Sequence, residues 1–308
     1  MIYYPYLRGK QFELIAIREI AQEYPGMTKI CPIIEPVKLA FNGLKSAITK
    51  MFEGDMKFAL VINPLEGDFK EENINMLNAL PELRLYRERW IPAIIYKSAN
   101  QLRQLMESYD SDEWMLIFKS SPDTADEYLM EILKAGRIKY IVAEFSNTSR
   151  RRLSHLKHLK LIRLDDKFNA QSRNADYANL IDELFSDEYF FASDEGYDGC
   201  ADYTILPGAY KDSGMLPYAV AIHMTYLRSE EEVNIRHFVS DSNSDTSDIA
   251  GKFFEAAVKL KTFFEEHPSR TPACQEIIDM IANDRYPGLG VLKKLSIKHH
   301  LQLAERFL

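Results

Sequence analysis

"IYYPYLRGKQFELIAIREIAQEY", Ile2 to Tyr24, holds two different periods in one run. Its first six residues are apolar and nearly continuous. After the "LRGK" turn, Phe12, Ile15, Ala16 and Ile20 recur at three and four residues, the helical period. A buried strand followed by an amphipathic helix is the repeating unit of a parallel α/β sheet, so the fold turns on whether the pattern recurs. It does. "KICPIIEPV" precedes "NGLKSAITKMFEG", "FALVINP" precedes "EENINMLNALPELRLY", and "WIPAIIY" precedes "ANQLRQLMESY". "WMLIFKSS" leads to "DTADEYLMEILKAG", "IKYIVAEF" to a basic segment from Ser149, and "LKLIRLDD" to "RNADYANLIDELFS". A last run, "ADYTILP", follows a loop rich in Gly and Asp. Asn42, Asn73, Asp123 or Thr124, Ser149 and Asn174 fall where helices would start, and Gly54 and Gly136 where two would end.

Eight strand candidates with seven clear helices between them predict a (β/α)8, TIM-barrel-like α/β fold over residues 1–210. A doubly wound open sheet is the alternative. It would more often carry a Gly-rich first turn, and neither GxGxxG nor GxxxxGK[ST] occurs. Residues 211–308 change pattern: a β-hairpin, a polar loop and three helical pieces. They predict a subdomain packed on the barrel, because no linker rich in Pro, Gly or Ser separates the two.

Composition bounds the function classes. A hydrophobic content of 46% with 27% charge describes an ordinary globular chain with a large core. The net charge of −8 argues against a whole-surface nucleic-acid binder, and leaves Arg150, Arg151 and Arg152 as a weak local candidate. Those arginines alternate with Leu153, Leu156 and Leu159 at helical spacing, so a solvated helix face explains them more cheaply than a phosphate track. Cys31, Cys200 and Cys274 are scattered and odd in number, without zinc spacing, which fits a reducing cytoplasm and no metal framework. No apolar run approaches the ~20 residues of a membrane span, and nothing at the start resembles a signal peptide, so the expectation is a cytoplasmic protein without a membrane role.

Barrels present their chemistry at the carboxyl ends of the strands. That rule selects Arg8 and Lys10 after the first strand, then Glu35, Asn63, Lys97, Lys119, Glu144 and the pair Asp165–Asp166. Acids mixed with cations suit a pocket for a small polar or phosphorylated ligand. Lys10, Glu35, Lys119, Glu144 and Asp166 are the candidate catalytic groups; a carboxylate would be the base and lysines would stabilise developing charge. A structural ion-pair network closing the barrel top predicts the same residues. Glu35 is the sharpest position, an acid that interrupts "PIIEPV" ahead of a proline. A divalent cation on Glu35, Glu144 and Asp166 is a lesser alternative to a site without metal, and no cofactor is indicated.

"YAVAIHMTYLRSEEEVNIRHFVSDSNSD", Tyr218 to Asp245, reads as two strands around an acidic turn. With the turn centred on Glu230, His223 and His237 oppose each other across the hairpin, Asp241 lies beyond, and Thr225 flanks His223. With a nearby carboxylate, such a pair could bind a metal or move a proton near pH 7, although packed, hydrogen-bonded imidazoles are the commoner outcome. In "SIKHHLQLAERF", only one of His299 and His300 can face inward from a helix.

Taken together, "YYPYLRGKQFELIAIREI", "ICPIIEPV", "GCADYTILPG", "AIHMTY", "NIRHFVSDSN" and "IKHHL" resemble the phage "beta" protein family and its bacterial relatives encoded beside predicted nucleases in defence or mobile regions. The resemblance spans nearly the whole chain. It implies a barrel and marks Arg8, Lys10, Glu13, Glu35, Asp202, Tyr203, His223, His237, Asp241 and His300 as recurring positions. It also implies a cytoplasmic component of a phage-defence module working with a separately encoded nuclease, and it carries no settled activity. "GVLKKLSIKHH" departs from the phage type, where a tryptophan tends to precede the histidines. The alternatives are a stand-alone hydrolase or lyase acting on a phosphorylated or nucleotide-like small molecule, and a nucleic-acid-binding accessory.

Overall fold

The computed structural model describes residues 1–70, 76–212 and 216–308. Its strands are β1 (Ile2–Tyr3), β2 (Tyr6–Leu7), β3 (Ile33–Ile34), β4 (Phe58–Val61), β5 (Trp90–Ile95), β6 (Trp114–Phe118), β7 (Ile138–Glu144), β8 (Lys160–Asp165), β9 (Asp182–Ser186), β10 (Gly199–Asp202), β11 (Ala221–Ser229) and β12 (Glu232–Val239). Nine of them form one parallel sheet in the spatial order β1-β10-β8-β7-β6-β5-β4-β3-β2. The sheet is curled, and its two edge strands are consecutive in the chain. Pro5, which has no N–H to give a ladder, separates them. On one side the Tyr4 amide donates to the Cys200 carbonyl at 2.8 Å; on the other the Ile33 amide donates to the Pro5 carbonyl at 2.9 Å.

The helices are α1 (Gln11–Glu23), α2 (Asn42–Glu53), α3 (Met76–Ala79), α4 (Ala99–Glu107), α5 (Glu127–Lys134), α6 (Arg150–Leu153), α7 (Glu188–Phe191), α8 (Ile249–Phe264), α9 (Pro272–Ala282) and α10 (Leu289–Phe307). Among the described residues, none is long and apolar enough to cross a membrane. Side-chain caps come from Ser98, Asp126, Asp248 and Thr271. Asp126 takes the role expected of Asp123 or Thr124, and the Asn73 cap lies outside the described residues. α1 and α2 approach so closely at Gly54 that a Cβ there would sit 2.1 Å from the Ala21 carbonyl oxygen.

Alternation along each strand divides the core. Tyr6, Ile33, Val61, Ile95, Ile117, Val142, Leu164 and Tyr203 belong to the concave cluster. Their neighbours Leu7, Ile34, Leu60, Ile94, Leu116 and Ile141 face the helices. The runs look continuous in sequence because both faces are buried, as in any sheet covered on two sides.

A second, antiparallel sheet runs β11-β12-β9. Here the sequence reading needs two corrections. "RNADYANLIDELFS" was expected to be one helix; it is a short 3₁₀ turn over Asn174–Asn179 followed by β9. Pairing with β12 decides the conformation, and Asp182 fixes it by accepting from Tyr226 Oη at 2.6 Å, Asn234 Nδ2 at 2.9 Å and Arg236 Nη1 at 3.1 Å. The hairpin sheet thus recruits a strand from inside the first 210 residues. The basic helix is also shorter than expected. α6 spans only Arg150–Leu153, with Arg150 paired to Glu195, Arg152 donating to the Pro122 carbonyl, and Arg151 exposed. The third core packs Ile222, Met224 and Phe238 of the hairpin against Phe253, Leu260 and Phe264 of α8 and Leu295 of α10.

Candidate functional site

Side chains two residues apart on a strand share a face. Arg8, Glu35, Asn63, Lys97, Lys119, Glu144 and Asp166 each follow a concave-face residue by two: Tyr6, Ile33, Val61, Ile95, Ile117, Val142 and Leu164. The sequence rule therefore selected one layer of the sheet, immediately beyond its apolar interior. Gly9, at a φ of +61° and with the Glu35 carbonyl oxygen 3.1 Å from where a Cβ would stand, lets the chain leave that layer tightly after Arg8.

Glu35 is 1% exposed and anchors the layer. It ion-pairs with Arg8, accepts from Tyr6 Oη at 2.8 Å, and accepts from the Leu65 amide at 3.1 Å. The other Arg8 nitrogen donates to the Gly208 carbonyl at 2.5 Å, in the loop after β10. Lys119 has no such neutralising partner. It donates to Tyr203 Oη at 2.7 Å and lies 4.6 Å from the Tyr6 ring centroid, and among the described residues it forms no salt bridge. Burial and the Arg8 charge push its pKa down, while Glu144 and Glu35 pull it up. Tyr203 is pushed well up, first by burial and then by Glu144, so its hydroxyl stays protonated. Asp166, at the rim, accepts from the Gly208 amide at 3.0 Å.

Arg8, Glu35, Lys119 and Tyr203 thus form one cluster, with Asp166 tied to it through Gly208 and Glu144 through its field. Other predicted members stand apart. Asn63 bonds the Ile95 amide and carbonyl at 2.9 and 2.8 Å, bracing β5. Lys97 is exposed. Lys10 reaches the Lys211 carbonyl and the Tyr210 ring. Asp241 is at the surface, paired with Lys259 at 2.7 Å. The carboxylates of Glu35, Glu144 and Asp166 do not assemble into a cation site: among the described residues no group of three or more His, Cys, Asp or Glu could hold a metal ion.

Asp202 and His300 face away from the concave layer and join a buried network. Tyr3 and Tyr189 each donate to an Asp202 oxygen at 2.5 Å, and Thr204 donates its amide at 2.7 Å. His300 Nε2 meets the same two hydroxyl oxygens at 3.0 and 3.2 Å, and its Nδ1 meets Thr225 Oγ1 at 3.0 Å. With both tyrosine protons on Asp202, Nε2 carries the imidazole proton and Nδ1 accepts from Thr225. Burial lowers the His300 pKa to about 3.

The two hairpin histidines oppose each other as expected. Their Nδ1 atoms are 2.7 Å apart, and His237 Nε2 lies 3.0 Å from Glu183 Oε1. A carboxylate only accepts, so His237 Nε2 holds a proton. Burial keeps His237 neutral, which leaves its Nδ1 as an acceptor and requires His223 to donate from its own. The order is Glu183, His237, His223, and it ends on a His223 Nε2 lone pair with no partner among the described residues. Glu183 is the carboxylate of this row, in place of Asp241. It was missed because its segment read as a helix. Tyr6, the aromatic between Glu35 and Lys119, was missed as plain strand, although it precedes Arg8 by two positions on the same face.

Compared with protein-family models, with curated proteins and with solved structures, the chain matches none.

Proposed function

We propose that the curled sheet is a (β/α)8 barrel, closed where the segment Ile2–Leu7 pairs with β10 on one side and β3 on the other, and that its mouth binds a small anionic, phosphorylated ligand. The observation that carries this reading is the inequality of the two mouth cations. Arg8 is neutralised by Glu35, whereas Lys119 points its ammonium at a tyrosine hydroxyl and aromatic faces without an ion-pair partner among the described residues. A cation held in a half-buried, aromatic-walled layer is costly unless an anion completes it. Lys119 and the Tyr203 hydroxyl would then stabilise negative charge on the ligand, as required of a barrel hydrolase or lyase, with Arg8 and Glu35 positioning them.

The test is mass spectrometry of small molecules released from purified protein. Wild type is expected to release a phosphorylated species that Lys119→Met protein lacks, at an unchanged melting temperature. Identical releases from the two proteins would overturn the reading. Membership in a defence module with a nuclease partner rests on the family resemblance alone. It is tested by affinity purification from the native host, where recovery of a nuclease is expected and a partnerless protein would end that proposal.

A further inference from the structure

A cavity of about 750 Å³ lies between the loops after β8 and β10, the hairpin, and the start of α10. Its apolar wall includes Phe168, Tyr177, Ile205 and Leu292, and His223 also lines it. Three cations line it as well: Arg173, Lys211 and Lys293. Among the described residues no Asp or Glu does, although the chain carries 46 acidic residues against 38 basic ones. Arg173 is paired with Asp176, but Lys211 and Lys293 form no salt bridge among the described residues. The size lies within the ~300–1,000 Å³ of small-molecule sites, and an apolar body with a few convergent polar groups is their usual construction.

Two further features shape the cavity. α10 starts at Gly288 without a side-chain cap or an acidic residue in its first turn, and Leu289 from that turn lines the cavity. Leu292, Lys293 and Ser296 follow it at helical spacing, so one side of the first two turns of α10 flanks the cavity. The row from Glu183 through His237 to His223 ends on an unpartnered acceptor at the same wall, which would take a hydrogen bond from a donor on the ligand and leaves recognition of the negative group to the lysines. We infer that this cavity is a binding site for an aromatic anion, its ring against the Phe168 and Tyr177 wall and its negative group on Lys211 and Lys293. The site is separate from the barrel mouth, with Lys119 absent from its lining.

Ligand-observed saturation-transfer NMR and calorimetry with phenyl phosphate, phenol and inorganic phosphate test this. Phenyl phosphate is expected to bind best of the three, and to shift the His223 Nε2 resonance on titration. The Lys211→Gln/Lys293→Gln double variant removes two exposed charges without touching a core. It should weaken phenyl phosphate at least about tenfold, from the loss of two charge-assisted contacts. Lys119→Met, which alters the mouth alone, should leave the shift at His223 unchanged. Phenyl phosphate that binds no better than phosphate, or that binds the double variant as it binds wild type, would overturn the inference. Loss in Lys119→Met with retention in the double variant would overturn it too, by moving the ligand to the mouth.

Discussion

Glu35 read as the sharpest catalytic candidate because an acid among apolar residues needs a reason. Its surroundings supply one. Arg8, Tyr6 and the Leu65 amide all donate to it, so its carboxylate is a structural hub of that layer of the curled sheet. Glu35→Gln would leave Arg8 half-buried without its counter-charge, a change that costs on the order of 3 kcal/mol. The expected outcome is a clear fall in the urea midpoint, and an unchanged midpoint would deny Glu35 that role. Glu13 offers a prediction in pH. Burial raises its pKa from 4.5 to about 7. The folded chain therefore keeps a proton that the unfolded chain releases, and this contribution is full below about pH 4.5 and lost as pH rises through 7. Glu13→Gln removes the dependence. The variant should gain stability relative to wild type between pH 5 and pH 8 (test conditions roughly spanning that titration), as read from paired denaturant titrations.

Elements were legible in proportion to how local their causes are. The strand–helix alternation came through because burial on both faces writes near-continuous apolar runs, and amphipathic helices write their own period. The hairpin register came through because a turn fixes it: His223 opposes His237. The third strand of that sheet did not, because nothing local makes Asp182–Ser186 extended. Its conformation is imposed by β12 some fifty positions later, and in isolation its polar and apolar residues fit a helix equally well. The same error hid Glu183 and with it the direction of the histidine row. If Asp182 is what commits the segment, Asp182→Ala should release Tyr226, Asn234 and Arg236 together and cost roughly 1–3 kcal/mol. Hydrogen exchange should then accelerate in β9 and β12 more than in β4 to β7. Uniform acceleration across both sheets would show that Asp182 does not hold this element.

At the scale of the whole molecule, the two sheets share a core, since Val233, Ile235 and Val239 of β12 lie in the same buried cluster as Leu7, Ile34 and Leu116, and a helix and a polar network join them further. α10 packs on α1 and on β11, and its Lys298, 2% exposed, pairs with Glu19 and Glu23 of α1 and Glu276 of α9. The network through Asp202, Tyr3, Tyr189, His300 and Thr225 spans from β1 and β10 to β11. Such bridging contacts make the stability of each part depend on the other, so the chain should unfold in one transition although it is about twice as long as most two-state domains. The two tryptophans make this measurable. Trp90 and Trp114 both lie in the curled sheet, so their fluorescence reports that body alone, whereas helical circular dichroism also reports α8, α9 and α10. Wild type should give coincident midpoints by the two probes. His300→Ala leaves Thr225 without its buried side-chain partner and the two tyrosine hydroxyls with Asp202 alone, cutting the link from β1 and β10 to β11, so its helical signal should fall at lower denaturant than its tryptophan signal. Acid should loosen the same joint. Both His299 and His300 are buried, against the expectation that only one would face inward, because α10 is covered by a core on either side. Their pKa values of about 3 lie below the ordinary 6.5, so their contribution is full above that value and is lost as pH falls toward 3. Coincident midpoints in His300→Ala would mean that the apolar packing of α10 and β12 couples the two bodies without help from the polar network.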